Sequence, residues 1–486
     1  MAKLCLWFGS VLTVCTMCCG ATLAADGQAS GRGDMARLKP AYRFERSNWI
    51  YVHLEGPPGD IGYQHGYLLA AEIEDGFRTI KYRDTRRTQR DWDFYRHVAQ
   101  AVLWPKIDAE YQQELQGIAD GLKDRGMTMD LWDVVALNAM EEVPDYYVPW
   151  LNRKEKRADV PRITAPGNCS AFVATGSMTK DHKPVIAHSN WTDIATGSRW
   201  TIIFDIVPTH GYHIMQDGFP GIIVSDDDFG INSAGLMVTE TTITGFSLFD
   251  PAGKPEFMRA RKALQYAGTI NGYVKIMLEG NNGGYANDWL LADNKTGEIA
   301  RFELGLKRSR LWRSKDGYFV GANFPSDPVL IKEETNFDPA NLGNSMNARH
   351  ARWNELMKQN KGRIDVELAQ TFLADHWDSY DKREEPGERT LCGHGVKSPR
   401  GVPEWEWPPY YPGGAVTAQA ADSAMAKGMT FRARAGYPCG EDFLAEPFLQ
   451  EHPEFGWERP VLRDMKGSPW AEFKAEEKGY TASGEK

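Results

Sequence analysis

The hydrophobic period of the chain changes abruptly at Cys169. Upstream, residues 66–73, 111–119 and 131–140 carry apolar side chains at three- and four-residue spacing, which predicts helices. From residue 169 onward apolar residues alternate with polar ones, which predicts strands. Between these regions residues 152–167 are charged and contain two prolines, as an exposed connector does. The chain must therefore combine helices with sheets, and the change falls at a cysteine.

The region after the connector is dominated by strand patterns. We predict a hairpin whose turn centres near His182, so that Cys169 lies opposite Ala195 and Asp193 shares the Cys169 face. His188 points the other way in this register, and a slip of one residue would reverse these assignments. Further strands are predicted at 200–207, 213–216, 221–225, 235–244, 288–293 and 298–304, and helices at 257–266 and 347–357. Sheet, helices and sheet in succession indicate packed layers of an α+β fold.

The first 25 residues have the order of a secretory signal peptide. Lys3 precedes an apolar run over residues 4–17, and small residues close the segment. A membrane helix is the alternative, but the run is too short to span a bilayer comfortably. We therefore expect an exported protein, either secreted, periplasmic or lumenal. The formal net charge of −10 argues against nucleic acid as a partner, because binding it requires a basic surface.

Three cysteines remain after residue 25: Cys169, Cys392 and Cys439. An odd number in an exported protein indicates one disulfide and one leftover thiol. Cys392 and Cys439 lie in loop-like sequence near the C-terminus, so we predict that they form the disulfide. Cys169 is then the leftover. An inert buried thiol is the commoner fate of such a residue, but its position after a connector favours a nucleophile.

Cleavage of the bond between Asn168 and Cys169 would give Cys169 a free α-amine beside its thiol. In reference peptides the amine titrates near pH ~8 and the thiol near ~8.5. The amine can therefore accept the thiol proton without a separate histidine, an arrangement known for nucleophiles that carry the chain's N-terminus. This chemistry needs no metal and no organic cofactor.

Two other classes of function remain open from the residues. One is a catalytically silent exported protein that binds lipid or glycan, which would persist as a single uncleaved chain. The other is a metal-dependent hydrolase that uses His376 and His394, although their spacing does not form a compact ligand motif. A chelator would abolish the activity of such an enzyme.

Several short motifs, in their order along the chain, resemble the phospholipase B-like family. A precursor segment at 115–121 (LQGIADG) is similar to that of the related penicillin acyltransferase family. The phospholipase B-like motifs are 168–173 (NCSAFV), 188–193 (HSNWTD), 235–242 (GLMVTETT), 283–291 (GGYANDWLL) and 424–431 (AMAKGMTF).

The resemblance implies an N-terminal-nucleophile hydrolase with a four-layer αββα sandwich, activated by self-cleavage at Asn168–Cys169. Cys169 matches the nucleophile, and Asp193 the aspartate that orients the α-amine. His188 matches a histidine of the phospholipase B-like branch. Asn323 resembles the asparagine that lines the oxyanion hole, and Arg349 the active-site arginine of choloylglycine hydrolases.

The resemblance also implies a division of the chain and a class of substrate. We expect a signal peptide at 1–25, a helical precursor segment at 26–168 that is cleaved but stays associated, and a catalytic αββα domain at 169–486. The partner would be a small acylated substrate, either a phospholipid, an N-acyl amine or a peptide-like molecule, whose amide or ester bond is cut.

Overall fold

The computed structural model describes residues 33–156, 169–225 and 229–479. The signal-peptide prediction at 1–25 and the predicted cleavage residue Asn168 lie outside these residues. Within them, none of the helices combines the length and apolarity needed to cross a membrane.

The described residues form two large sheets and one small one. The strands in chain order are β1 Tyr42–Arg46, β2 Trp49–Gly56, β3 Cys169–Thr175, β4 Val185–Asp193, β5 Ile202–Pro208, β6 Ile214–Gly218, β7 Gly230–Asn232, β8 Leu236–Thr242, β9 Asn287–Asp293, β10 Glu298–Leu304, β11 Ser309–Ser314, β12 Gly317–Gly321, β13 Trp377–Asp378, β14 Arg383–Glu384, β15 Gly413–Asp422, β16 Thr430–Ala435 and β17 Ala471–Lys474.

The first sheet has nine strands in the order β1-β2-β5-β6-β7-β8-β9-β10-β11, and the second has six in the order β12-β3-β4-β15-β16-β17. The pair β13-β14 stands apart. The helices are α1 Met35–Leu38, α2 Pro58–Leu68, α3 Ala70–Thr88, α4 Trp92–Val98, α5 Ala109–Asp124, α6 Leu131–Asn138, α7 Val148–Lys154, α8 Ile194–Gly197, α9 Glu256–Tyr266, α10 Ile270–Leu278, α11 Pro328–Glu334, α12 Ser345–Gln359, α13 Val366–Leu373, α14 Ser423–Lys427 and α15 Ala445–Glu451.

Alternation along the strands builds the layers. In β3, Ala171 and Val173 pack into a core shared with the nine-stranded sheet, while Phe172 and Ala174 pack against side chains of α12 and α13. The outer face of the nine-stranded sheet is covered by α2–α6, α9 and α10. Helices therefore enclose two facing sheets, and the predicted αββα sandwich is confirmed.

The N-terminal segment contributes more than helices. β1 and β2 were not predicted, yet β2 pairs in parallel with β5 inside the nine-stranded sheet. The sandwich is therefore not confined to residues 169–486, and the predicted boundary is wrong in that respect. The reason is long-range pairing, because β2 finds its partner about 150 residues further along the chain, which local periodicity does not reveal.

One predicted strand, 221–225, is absent from the described structure of that segment. The Asn138 side chain instead holds it, donating to Gly221 O at 2.9 Å and accepting from Ile223 N at 2.8 Å. Gly221 adopts a φ of 91°, which glycine permits. The Asn138 amide thus makes the backbone hydrogen bonds that a neighbouring strand would otherwise make. Residues 221–225 are buried as a bend among helices.

Candidate active site

Cys169 is the first residue of β3 and is held at three of its atoms. Its backbone N–H donates to Asn323 Oδ1 at 3.0 Å, and its carbonyl accepts from Arg349 Nη1 at 2.6 Å. Its Sγ lies 3.7 Å from Glu240 Oε1. The residue is buried, with 2% of its surface exposed. An inert core thiol needs only apolar packing, whereas here the nitrogen, carbonyl and sulfur each face a polar group.

Arg349 sits on the first turns of α12, fully buried. Its guanidinium donates to Ser170 Oγ at 3.0 Å, to Ala322 O at 3.2 Å and to Asn323 Oδ1 at 2.9 Å. It also lies 4.4 Å from the ring centroid of Trp191. Burial lowers the pKa of Arg349 to about 9, so the group remains a cation at neutral pH. Its positive charge can stabilise negative charge that develops near Cys169.

Asn323 follows β12 in the left-handed conformation, with φ 59°. Its Oδ1 accepts from both Cys169 N and Arg349, which defines the orientation of the amide. Its Nδ2 donates to Thr242 O at 2.9 Å. This contact uses one of the two N–H donors of the amide, so the role as oxyanion donor stays a prediction. Through its Oδ1, Asn323 also orients the backbone nitrogen of Cys169.

His188 lies on the same face of the sheet as Cys169, contrary to the predicted register. Cys169 pairs with Asn190 and Ala171 with His188, so the hairpin centres near residue 180 rather than 182. The side-chain ligand atoms of Cys169, His188 and Glu240 all lie within 4.8 Å of one another. Burial lowers the pKa of His188 to about 3, and its Nδ1 is 3.4 Å from Gln419 Oε1. His188 is therefore a neutral neighbour of the thiol.

Asp193 lies away from Cys169, and its predicted role in orienting the α-amine is not supported. It is three residues beyond Asn190, about 10 Å along the strand. Its Oδ1 caps α8 by accepting from Thr196 N at 2.7 Å and is 3.2 Å from Arg83 Nε. The role was inferred from the family resemblance, and the predicted register, which put Asp193 on the Cys169 face, is wrong because Cys169 pairs with Asn190.

Glu240, on β8 of the other sheet, is the residue that sequence reasoning missed. Its carboxylate, fully buried, accepts from Tyr285 Oη at 3.1 Å. The Asn287 amide donates to Glu240 Oε2 at 2.8 Å in the orientation that satisfies both groups. A glutamate inside a strand of apolar residues and threonines was the available signal. Its proximity to the thiol depends on the packing of the two sheets.

The predicted disulfide between Cys392 and Cys439 is not formed. Both are free cysteines, and their sulfurs lie in one group with the ring nitrogens of His376 and His394, all within 4.8 Å. The prediction rested on the odd number of cysteines and on the loop-like sequence around Cys392 and Cys439. It could not include two histidines that the fold brings to the same place.

A cavity of about 390 Å³ opens beside the site. Asp193 lines it together with three arginines of α3 and a wall of aromatic side chains. One of them, Trp405, stands edge-on to Trp191 at 6.3 Å and lies 5.6 Å from the Arg349 guanidinium. The aromatic wall therefore leads from the cavity to the group that holds Cys169. The lining side chains include Arg83, Arg86, Arg87, Asp193, Trp405, Trp407, Tyr411 and Trp457.

Comparison with known proteins gives three kinds of match. The Phospholipase B family model matches residues 78–305. A protein described as phospholipase B-like 3, from Caenorhabditis elegans, is 28% identical over 43% of this chain and 38% of its own length. Phospholipase B-like protein C of Dictyostelium discoideum is 25% identical over 56% of each chain, and human phospholipase B-like 1 is 24% identical over 48% of this chain and 47% of its own.

Among solved structures, the C2A mutant of conjugated bile acid hydrolase from Clostridium perfringens aligns with 55% of this chain and 89% of its own. The identity is 11% and the TM-score 0.33, a level at which no detail carries over.

The matched segments span roughly a third to a half of the curated relatives, at 38, 56 and 47% of their lengths. The family match includes Cys169, His188 and Glu240 and ends before Asn323 and Arg349. The resemblance to the phospholipase B-like family that the motifs predicted is thereby confirmed.

Proposed function

We propose that this protein is an exported hydrolase that cleaves itself before Cys169 and then uses this residue, as an N-terminal nucleophile, against an acyl ester or amide bond. The observation that carries the proposal is the set of contacts at one cysteine. Its nitrogen is oriented by Asn323, its carbonyl is bound by Arg349, and its sulfur faces the Glu240 carboxylate.

In the precursor, the Cys169 thiol gives its proton to Glu240, and the thiolate attacks the carbonyl carbon of Asn168. The peptide C–N bond breaks as the C–S bond forms, and the nitrogen of Cys169 takes up a proton to become the α-amine. Water then hydrolyses the thioester, which restores the thiol and leaves Asn168 as a carboxyl terminus. Glu240 is suited to the first step because the α-amine does not yet exist.

In turnover, the α-amine of Cys169 accepts the thiol proton, and the thiolate attacks the acyl carbon of the substrate. The protonated amine then gives its proton to the departing alcohol or amine. Water releases the acid from the thioester and regenerates the enzyme. Asn323 Oδ1 accepts from the peptide N–H of Cys169 before cleavage and holds the α-amine at the same position after it.

The cavity suits a substrate with an acyl group and a polar or anionic head. Trp405, Trp407 and Trp457 offer apolar and aromatic surface, and Arg86 stacks on Trp457 at 4.7 Å. Arg83, in contrast, is paired with Glu458 at 2.6 Å. We propose phospholipid, N-acyl amine or peptide-like substrates, consistent with this mixed lining.

The test combines intact mass and N-terminal sequencing of the purified exported protein with turnover on a panel of acyl esters and amides. Wild type is expected as two chains, the second beginning at Cys169, with turnover. Cys169→Ala removes the attacking atom, so the chain stays uncleaved and inactive. Cys169→Ser cleaves slowly, because a hydroxyl ionises far less readily than a thiol.

Ser177→Ala, a hydroxyl removed from the turn after β3, is the matched control and should behave as wild type. A new N-terminus at residue 169 in Cys169→Ala protein would disprove self-cleavage by this residue. An uncleaved, inactive wild type would favour a binding protein on the same fold.

A further inference from the structure

Outside the proposed active site, four metal-ligating side chains converge from three segments of the chain. We call His376, Cys392, His394 and Cys439 the Cys2His2 cluster. His376 Nε2 and His394 Nε2 are 3.2 Å apart. Cys392 Sγ lies 3.3 Å and Cys439 Sγ 3.6 Å from His394 Nε2. All four donor atoms fall within 4.8 Å of one another.

These separations match the edges of a zinc tetrahedron. Zn–S bonds of ~2.3 Å and Zn–N bonds of ~2.05 Å at tetrahedral angles place sulfur and nitrogen about 3.5 Å apart and two nitrogens about 3.3 Å apart. The observed distances of 3.2, 3.3 and 3.6 Å agree within about 0.3 Å. Two thiolates and two imidazoles form a donor set that selects zinc over magnesium or calcium.

The surroundings of the cluster are those of a built site. Cys392 and His394 are both fully buried, so they are shielded from solvent exchange. The His394 ring stacks on Tyr437 at 4.0 Å, which fixes the ring plane. Its Nδ1, on the side away from the cluster, lies 4.0 Å from a Glu441 carboxylate oxygen. A carboxylate on that side of a ligating imidazole is common around protein-bound zinc, and here the two groups are at ion-pair distance without a hydrogen bond.

We propose that the Cys2His2 cluster binds one zinc ion as a structural site. Four protein ligands complete the tetrahedron, so no position remains for a water or substrate, and the ion has no catalytic role. His376 and His394 are then structural ligands rather than the centre of a metal-dependent hydrolase. The bound ion also explains how two neighbouring cysteines stay unoxidised without a disulfide.

The position of the cluster gives the ion a consequence for the active site. His376 follows α13, Cys392 and His394 follow β14, and Cys439 follows β16, so one ion ties three loops together. Between two of the ligands, Gly393 packs so closely on Trp191 that a Cβ there would lie 2.1 Å from the ring. The Arg349 guanidinium also packs on the Trp191 ring. The loop that holds Cys392 and His394 therefore supports, through Trp191, the residue that binds Cys169.

The experiment measures zinc by elemental analysis of the mature full-length protein, purified without added metal and dialysed. We expect about one zinc per molecule. Cys392→Ser and Cys439→Ser should each lower zinc content at least tenfold. Cys169→Ala should retain it, because that residue is outside the cluster. His182→Asn, at an exposed turn, is the matched control for the companion variant His394→Asn, which should lose the ion.

Thiol counting on wild type keeps the proposal testable if the variants fail to fold. Alkylation in denaturant with EDTA and without reductant should label all three cysteines of the mature chain, and an organomercurial should release zinc in step with two thiols. One labelled cysteine and no zinc would overturn the proposal in favour of a disulfide. Zinc that is lost in Cys169→Ala but kept in Cys392→Ser would also overturn it, by placing the ion at Cys169, His188 and Glu240.

Discussion

Arg349 shows how one buried side chain can hold the residue that we propose as the nucleophile. Its guanidinium contacts the Cys169 carbonyl, Ser170 Oγ, Ala322 O and Asn323 Oδ1 at once. Its Nε also donates to Ser345 Oγ at 3.0 Å. The rigid fork of arginine can satisfy these acceptors together, whereas lysine offers a single compact ammonium.

Arg349→Lys should therefore keep the charge and lose the geometry. We expect self-cleavage to slow at least tenfold, measured as the rate at which the new N-terminus at Cys169 appears. Arg363→Lys, whose guanidinium donates to Gln359 O and Asn360 at the surface, is the control and should process normally. An unchanged rate in Arg349→Lys would mean that only the charge matters.

Glu240 is the second residue whose contribution can be separated chemically. Glu240→Gln preserves the size of the side chain but removes the carboxylate that accepts the thiol proton. We expect processing to fall at least tenfold, and turnover to fall with it because the α-amine that serves turnover arises only by processing, while the melting temperature shifts by only a few degrees. Glu298→Gln, at the start of β10, serves as the control. Normal processing in Glu240→Gln would assign proton acceptance to another group.

At the level of elements, α2 and α5 pack at backbone distance. A Cβ on Gly117 would lie 2.3 Å from Gly59 O, and one on Gly62 would lie 1.9 Å from Glu114 O. Side chains at these positions would force the helices apart. The glycines of residues 115–121, the motif that resembles a precursor segment, therefore have a packing role.

Gly117→Ala should destabilise the protein by about 1–3 kcal/mol, the range for overpacked cores. The free energy of unfolding, from urea titration of the uncleaved Cys169→Ala chain, is the measurement. Gly456→Ala, where nothing lies within 4 Å of the added carbon, should change it little. Equal stability of the two variants would contradict the close packing.

His65 links α2 to the bend at 221–225 and makes that link sensitive to pH. Its Nε2 accepts from Gly221 N at 3.0 Å, and burial, together with Arg261, lowers its pKa to about 3. An unfolded histidine titrates near ~6.5. Between these values the unfolded chain binds a proton that the folded chain does not, so this contribution to stability falls as the pH falls.

Asp84 affects the pH dependence of stability in the opposite sense. Burial raises its pKa to about 7, so between this value and the unfolded pKa the folded chain binds a proton that the unfolded chain does not, and this contribution to stability grows as the pH falls. The stability of wild type must therefore be compared with that of a variant that keeps Asp84 and the other buried titratable groups. His65→Gln keeps an acceptor for Gly221 but does not titrate. The stability of wild type relative to this variant should decrease steadily from pH 6.5 to pH 4 in urea titrations. A constant difference would show that His65 is not held neutral.

For the whole molecule, the cut predicted at Asn168–Cys169 would not separate the fold into two bodies. β2 pairs with β5 inside the nine-stranded sheet, and the helices before the cut share one core with strands after it. The two products, 26–168 and 169–486, should therefore behave as a single folded unit.

Processed protein should elute from size exclusion as one species containing both chains and should melt in one transition. The two chains should separate only in denaturant. The uncleaved Cys169→Ala protein provides the reference elution volume. Separation of the chains in native buffer would mean that the interface between them is weaker than its buried core indicates.

Much of the architecture was determined by local sequence. Alternating apolar residues predicted β3, β4, β5, β6, β8, β9 and β10, and helical spacing predicted α5, α6, α9 and α12. The helix predicted at 66–73 instead covers the end of α2 and the start of α3. These predictions succeed because a half-buried strand or helix must present one apolar face. The spacing of apolar residues that forms this face can be read from neighbouring positions in the sequence. Cys169, Asn323 and Arg349 were also identified in advance, from motifs.

Tertiary structure alone decided which of these residues meet. The register that puts His188 rather than Asp193 near Cys169, the approach of Glu240 from the other sheet, and the convergence of two histidines on Cys392 and Cys439 all depend on contacts between distant segments. Turn lengths and sheet-to-sheet packing set those contacts, and local periodicity does not encode them. The sequence therefore determined the layers and identified the candidate nucleophile, and the fold determined the contacts of that cysteine.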